Sequence, residues 1–395
     1  MKILHTSDWH LGQKFMGKSR EEEHHAFLKW LLEILEHENI DLLIVAGDVF
    51  DTGTPSNYAL ELYYNFLTKL ATSSCSHVII IAGNHDSIAT LKAPKQLLKA
   101  LNVHVITSGD ENENEVIEIH KGGRLEAVVC AVPFLRDYVV RQSMSGETMN
   151  DKESALTQGI KGHYIKVYAE AKELCADQDI PLIATGHLTT VGGRSSESER
   201  DIYIGGTLDI GSDFLGKYFD YVALGHLHIN QKIGEEHVRY SGSPIPLSFS
   251  ESTSKKRVNI VEFDNKDLSV REIDIPLYRP LLVIRGDLDS ILSELGQIEN
   301  KETWIEVHLS DDNPFYANQS IREKSEELGL IILAVKIDKT EASLSRKSLN
   351  VISLDELNPL DVFERRLEQD NLEDEGLKEA LLLQFKTVVN EVEQS

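Results

Sequence analysis

Five short apolar runs in this chain each deliver a metal-binding residue type within a few residues of their carboxyl ends. Lys2 to His5 leads to Asp8 and His10, Leu42 to Ala46 leads to Asp48, and Val78 to Ala82 leads to Asn84 and His85. Leu182 to Ala184 leads to His187, and Tyr221 to Leu224 leads to His226 and His228. Runs of this length and composition read as strands. Between the early ones, Glu22 to Glu38 spaces Ala26, Phe27, Trp30, Leu31, Ile34 and Leu35 along one helical face. Tyr58 to Leu70 repeats the pattern with Leu62, Phe66 and Leu67. Strand-helix-strand order predicts an α/β fold whose sheet has parallel pairs and helices outside it. In open α/β sheets, ligands gather outside the carboxyl ends of the strands, so these distant residues are predicted to share one crevice. One such His or Asp would be an ordinary core residue; burial gives no reason for five strands to end alike.

Carboxylate, amide and imidazole donors without a thiolate suit manganese, iron or zinc better than a Cys-rich structural zinc site. A pair of divalent ions about 3.5 to 4 Å apart can share one carboxylate, activate water and clamp a phosphate. Two such ions against Asp8 and Asp48 leave a local positive charge for an anion. That matters because 40 Lys+Arg against 65 Asp+Glu give a net charge of −25, which excludes a broad basic nucleic-acid surface. Cys75, Cys130 and Cys175 form no CxxC, so neither a disulfide framework nor a thiolate zinc site is predicted. The N-terminus meets a charge at Asp8, too early for a signal segment, and no apolar stretch approaches the roughly 18 residues of a membrane span. A cytoplasmic protein without membrane contact is expected.

Hydrophobic residues make up 41% of the 395, enough for more than one core. Residues 1–275 read as the domain carrying the strand-end motifs, and Val258 to Phe263 with Leu268 to Ile273 are expected to close a second sheet. Pro276 and Pro280 bracket a boundary, after which 276–340 reads as a small α/β domain. A polar stretch at 341–350 reads as a linker, and 351–395 as a helical tail with twelve acids against four bases. Leu360, Phe363 and Leu367 form one apolar stripe in that tail, and Leu377, Leu381 and Phe385 a second. Such short helices have too little mass for their own core, so a partner surface is expected. Gln142 to Gln158 is polar and reads as a loop.

Asp8-Trp9-His10, the GDVFD around Asp48, the GNHD around His85, Gly186-His187 and the GHLH ending at His228 together resemble the calcineurin-like metallophosphoesterase superfamily. The resemblance covers roughly Met1 to Asp274 and implies a two-layered β-sandwich flanked by helices (α-β-β-α). It implies that Asp8, His10 and His228 bind one metal, that Asn84, His187 and His226 bind a second, and that Asp48 bridges them. The glycines before Asp48, His187 and His226 let a strand turn sharply and the backbone approach the ions. His85 would act on the phosphate and leaving oxygen as a catalytic group, with Asp86 fixing its tautomer. The role of Asp51, where some archaeal relatives carry a histidine, stays open.

HTSDWHLGQKF, GDVFDTGTPS, GNHDS, the VPFLR around Pro133, the HLTTVGG and SESER loop, and YSGSPIPLSFSE are similar to the bacterial SbcD nuclease subunits over nearly the whole length. That likeness implies a manganese-dependent double-strand 3′-5′ exonuclease and single-strand or hairpin endonuclease acting in DNA repair, recombination and replication. It further implies a homodimer paired through the helix at Pro55 to Leu70 and the one after GNHD. An ATPase partner of the structural-maintenance-of-chromosomes (SMC) type would be gripped by the tail. The chain contains no GxxxxGK[ST], so ATP use is assigned to that partner. Lys14, Lys18, Arg20, Arg194 and Arg200 are candidates for DNA phosphates near the metals. The alternatives are another binuclear phosphatase or cyclic-nucleotide phosphodiesterase, or a non-catalytic metal-binding scaffold for the ATPase. Against a phosphoprotein phosphatase, Thr52 stands where GDxxDRG has its arginine and Asp86 replaces the glutamate of GNHE. Against a scaffold, no ligand position has been lost.

Overall fold

A computed structural model describes residues 1–93, 98, 102–110, 113–141, 148–176, 178–199, 202, 210–311, 314–337 and 384–385. The first sheet contains β1 (Lys2–Thr6), β4 (Leu42–Ala46), β5 (His77–Ile81), β6 (Val103–Ile106), β13 (Arg257–Asp264) and β14 (Asp267–Asp274). Its order is β14-β13-β1-β4-β5-β6, and β1, β4, β5 and β6 run parallel. The second contains β7 (Val116–Lys121), β8 (Arg124–Cys130), β9 (Leu182–His187), β10 (Tyr221–Gly225), β11 (Gln231–Ile233) and β12 (Glu235–Tyr240). Its order is β11-β12-β10-β9-β8-β7, with β8, β9, β10 and β12 parallel. A hairpin of β2 (Lys14–Phe15) and β3 (Lys18–Ser19) follows the first motif.

Alternation along each strand builds the layers. Ile3, Leu42, Ile44 and Ile81 of the first sheet meet Val129, Ile183, Tyr221 and Ala223 of the second. The intervening Leu4, Leu43 and Val45 face Phe27, Leu31 and Leu35 of α1 (Glu21–His37) and Tyr63, Phe66 and Leu67 of α2 (Asn57–Leu70). Strands buried on both faces need apolar residues at every position, which is why they read as continuous runs. The outer face of the second sheet packs Val128, Ala184, Val222 and Leu224 on Ile160, Tyr164, Val167 and Ala171 of the helix Met149–Cys175. Two sheets between helical layers are the α-β-β-α sandwich that the motifs imply.

Two expectations are corrected. β13 and β14 extend the first sheet through antiparallel pairing of β13 with β1, and the second sheet is built from β7 to β12. Val258 and Ile260 face the helical layer while Val261 and Phe263 face the inter-sheet core, so β13 needs an interior place. Residues 149–158 are not loop but the first turns of the helix Met149–Cys175. Thr148 and Asp151 form a capping box, and Leu156 and Ile160 start the buried stripe. Residues 142–147 lie outside the described set.

The segment after Pro280 forms a three-stranded parallel sheet of β15 (Leu281–Gly286), β16 (Trp304–Leu309) and β17 (Ile331–Ile337) with the helices Leu288–Leu295 and Pro314–Leu328. Ile284, Ile291, Leu295, Ile305, Val307 and Ile321 give it a core of its own. Leu281 and Trp304 join Phe15 and Phe249 in a further apolar cluster, and Met1–Ile337 accordingly forms one compact unit. Asp338–Ser395 is a second unit. The 341–350 linker and the tail stripe residues Leu360, Phe363, Leu367, Leu377 and Leu381 lie outside the described residues. All three cysteines are free and buried. No described helix is long and apolar enough to cross a membrane.

Candidate metal centre

The carboxyl ends of β1, β4, β5, β9 and β10 converge, three from one sheet and two from the other. Parallel backbone bonds pin the first loop to the second: Asp8 donates to Gly47, His10 to Asp48 and Leu11 to Val49, at 2.9 to 3.0 Å. Trp9 points away between them, fully buried against Phe27 and Phe66, with its indole N–H on Thr6. Asp8, His10, Asp48 and His226 all have positive φ, an arrangement that non-glycine residues adopt only where the surroundings enforce it. Strained backbone at four candidate ligands marks the crevice as a functional place. Gly225 is required here because a Cβ would stand 1.9 Å from the Ala46 carbonyl oxygen, and Gly83 because one would stand 2.1 Å from Asp48 Oδ1.

Asp8, His10 and His228 bring ligand atoms within 4.8 Å of one another, as do Asp8, Asp48 and His187, and His10, Asp51 and His85. Asn84 Oδ1 lies 2.9 Å from His187 Nε2. The His226 ring stacks edge-on to His187 at 5.5 Å, and its backbone N–H donates to Asp8 at 3.0 Å. The seven sequence-predicted ligands are therefore brought together, with Asp48 Oδ2 at 3.3 Å from His187 Nε2 and 3.6 Å from His10 Nε2.

The ring tautomers test whether these donors suit a cation. His187 Nδ1 faces the Ala46 carbonyl at 2.9 Å and must carry a proton there, because a carbonyl only accepts. The Nε2 lone pair of the neutral ring then faces Asp48 Oδ2 and Asn84 Oδ1, both acceptors. Three lone pairs converge, an arrangement that a cation between them makes favourable. His10 repeats the case: both ring nitrogens are buried without a hydrogen-bond partner among the described residues. In the metal-free protein a proton serves. Burial pulls against it, yet Asp51, Asp48 and Asp8 hold His10 up to about 9, and Asp48 and Asp8 do the same for His187. Burial, helped by the His187 charge, pushes His226 down to about 3, leaving a neutral ring able to ligate. The donor set fits divalent metal.

His228 is oriented by groups that the motifs did not identify. Its Nδ1 donates to Ser198 Oγ at 2.6 Å; Ser198 in turn donates to Glu251, which is paired with Lys256. Glu199 accepts the His228 backbone N–H at 2.6 Å. Glu251 and Lys256 are buried, though Lys255-Lys256-Arg257 reads in sequence as a charged lead into a strand. The SESER loop was legible as a motif, but its inward placement has no periodic signal.

His85 stands at the crevice, 5.0 Å edge-on from His10. Its Nδ1 donates to the Asp51 carbonyl at 2.7 Å, and its backbone N–H to Asp48 at 2.9 Å. The Asp86 assignment is corrected. Its carboxylate accepts the N–H groups of Val49, Phe50 and Gly83 at 2.9 to 3.1 Å, tying two metal-centre loops together, while Asp51 sets the His85 tautomer. Burial and Asp48 push the Asp86 carboxyl up to about 6. The Asp51 carboxylate faces His10 Nδ1 at 3.4 Å.

Among the predicted phosphate contacts, Lys14, Lys18 and Arg194 are exposed, and Arg200 lies outside the described residues. Arg20 is a correction: it is fully buried, pairs with Glu23, donates to the Pro246 carbonyl at 2.8 Å and lies over Phe15 and Trp304. A guanidinium so enclosed braces the fold and cannot reach DNA.

A family profile for calcineurin-like phosphoesterases matches residues 1–230, and one described as the type 5 capsule protein repressor C-terminal domain matches residues 277–371. The SbcD subunit of the nuclease SbcCD from Escherichia coli is 42% identical, covering 99% of this chain and 98% of that protein. Its namesake from Rhodobacter capsulatus is 37% identical over 75% of this chain and 76% of its own length, and that from Bacillus subtilis 30% over 90% and 91%. With the five strand-end motifs gathered in one crevice and a likeness that runs from end to end, the chain belongs to the calcineurin-like phosphoesterases and, within them, to the SbcD nuclease subunits.

Proposed function

We propose that this chain hydrolyses phosphodiester bonds at DNA ends and hairpins with two divalent ions, manganese foremost. The observation that carries the reading is the convergence of buried imidazole lone pairs and carboxylates at the crevice: His187 Nε2 against Asp48 and Asn84, and His10 against Asp48 and Asp51. Asp8, His10 and His228 would hold one ion, Asn84, His187 and His226 the other, and Asp48 would serve both. When bound, such a pair supplies an activated water and charge compensation at the phosphate.

The chain's own residues do the rest. The carbonyl behind His187 and the hydroxyl behind His228 fix each ring so that Nε2 faces the crevice. His85, anchored through Nδ1 on Asp51, keeps Nε2 for substrate; in its protonated form that nitrogen donates to the scissile phosphate and passes its proton to the departing 3′ oxygen. Asp86 holds Val49 and Phe50 against Gly83, so the loops bearing Asp48 and His85 keep their spacing.

In this reading residues 1–275 are the nuclease domain and 276–340 a capping domain. Lys14, Lys18 and Arg194 steer phosphates, α2 and the segment after His85 pair two copies, and the tail grips an SMC-type ATPase in the cytoplasm. The relatives' name, which makes each of them one subunit of the nuclease SbcCD, supports a partnered nuclease. The substrate test offers the purified chain manganese with blunt duplex, hairpin DNA, a phosphopeptide or a cyclic nucleotide. Hydrolysis of DNA alone is expected; hydrolysis of the phosphopeptide or cyclic nucleotide alone contradicts the reading. Deleting residues after Asn350 should leave a manganese-dependent nuclease that no longer co-purifies with the ATPase. Undiminished binding would move the contact to the remaining domains.

A further inference from the structure

Beside the metal centre the chain builds a cavity of about 510 Å³, within the roughly 300 to 1,000 Å³ range of small-ligand sites. It is lined by Phe134, Arg136, Tyr138, Arg141 and Lys152, among others. Its near wall belongs to the active crevice. The Phe134 backbone N–H donates to Ala82 at 2.8 Å, and its ring lies edge-on to His187 at 6.5 Å. Arg136 reaches the Asp86 carbonyl at 3.3 Å, one residue from His85, with its guanidinium over Phe134.

Charge and shape narrow the occupant. Arg141 pairs with Asp137, but among the described residues neither Arg136 nor Lys152 faces a carboxylate. In a chain of net charge −25, Arg136 and Lys152 together at the edge of the crevice mark a place for an anion. Tyr138 adds a flat apolar surface, 71% exposed. A cation pair beside an exposed ring is the means by which proteins hold an unpaired nucleotide, its phosphate on the cations and its base stacked on the ring. A paired base has no free face to offer.

Resting on the DNA-hydrolase reading, we propose that this cavity takes an unpaired nucleotide of the substrate strand next to the scissile phosphate, with Tyr138 stacking its base and Arg136 and Lys152 holding its phosphate. The pocket selects frayed ends and hairpin loops over closed duplex. Tyr138 and Lys152 are exposed, so their replacement leaves the core untouched, and thermal unfolding verifies it.

The experiment measures anisotropy of fluorescein-labelled DNA on the full chain in EDTA, comparing a duplex with a single-stranded overhang and a blunt duplex. Tyr138→Ala and Lys152→Ala should each weaken overhang binding about tenfold and leave blunt duplex unchanged. Lys152→Ala should also reduce the salt slope by about one, and Tyr138→Ala should not. Wild-type overhang affinity in both variants, or equal loss on both DNAs, would overturn the proposal. Manganese-dependent DNA cleavage by the wild type, run in parallel, reports on the hydrolase reading separately: its absence with the binding pattern intact would unseat that reading alone.

Discussion

The carbonyl oxygen of Ala46 accepts the Nδ1 proton of His187 at 2.9 Å, and this one bond decides which ring nitrogen faces the crevice. Gly225 makes the bond possible. A methyl group there would sit 1.9 Å from the Ala46 oxygen and 3.0 Å from His187 Nδ1. Gly225→Ala should therefore destabilise the fold by about 1–3 kcal/mol and weaken metal binding by roughly tenfold to a hundredfold. Thermal denaturation and calorimetric metal titration check both; wild-type values would show that the ring does not depend on Ala46.

Ser198, Glu251 and Lys256 orient His228 from behind. Ser198→Ala removes the acceptor of the His228 Nδ1 proton and should cost about tenfold or more in metal affinity while the protein stays folded. Lys256→Met strands the Glu251 carboxylate in the interior and should cost about 3–5 kcal/mol of stability. Denaturant unfolding of the two variants separates positioning from folding.

His85 is expected to act on substrate and not to hold metal. His85→Ala should keep the full metal content yet lose at least roughly a hundredfold in turnover. Loss of a metal equivalent in elemental analysis would make His85 a ligand.

His10 and His187, raised to about 9 in the metal-free protein, bear protons that metal must expel. Their folded-state values lie above the ordinary 6.5, so the stability they add is full below about 6.5 and is lost as pH rises through about 9. Metal affinity should run the other way, climbing towards about pH 9 by up to about tenfold per unit for each proton released. Titration in buffers of different ionisation enthalpy measures that release, and a pH-independent affinity would contradict it.

The layers and the crevice were legible because their cause is periodic: β4 and β5 are apolar on both faces, and the residues after them need only leave the sheet at the same end. The strand-end pattern alone gathered Asp8, His10, Asp48, Asn84, His85, His187, His226 and His228. Partnership behind the ligands was not legible. Whether a carboxylate turns inward, as Glu251 does, depends on a lysine that burial has already committed, and Lys256 looks in sequence like any charged residue. Arg20 failed for the same reason, its charge suggesting phosphate while Glu23 and Trp304 enclose it. The helix at 149–158 was missed because its exposed side is polar; Thr148 and Asp151 were the available signal.

The central claim is a shared cation site at Asp48, whose Oδ2 lies between His187 and His10. Metal content by elemental analysis and manganese-dependent cleavage of duplex DNA, measured together on Asp48→Ala, test it most directly. The fold should persist, since the apolar core lies beneath the crevice, while bound metal and cleavage both fall away. Near-wild-type cleavage with metal content unchanged would contradict a binuclear centre built on Asp48.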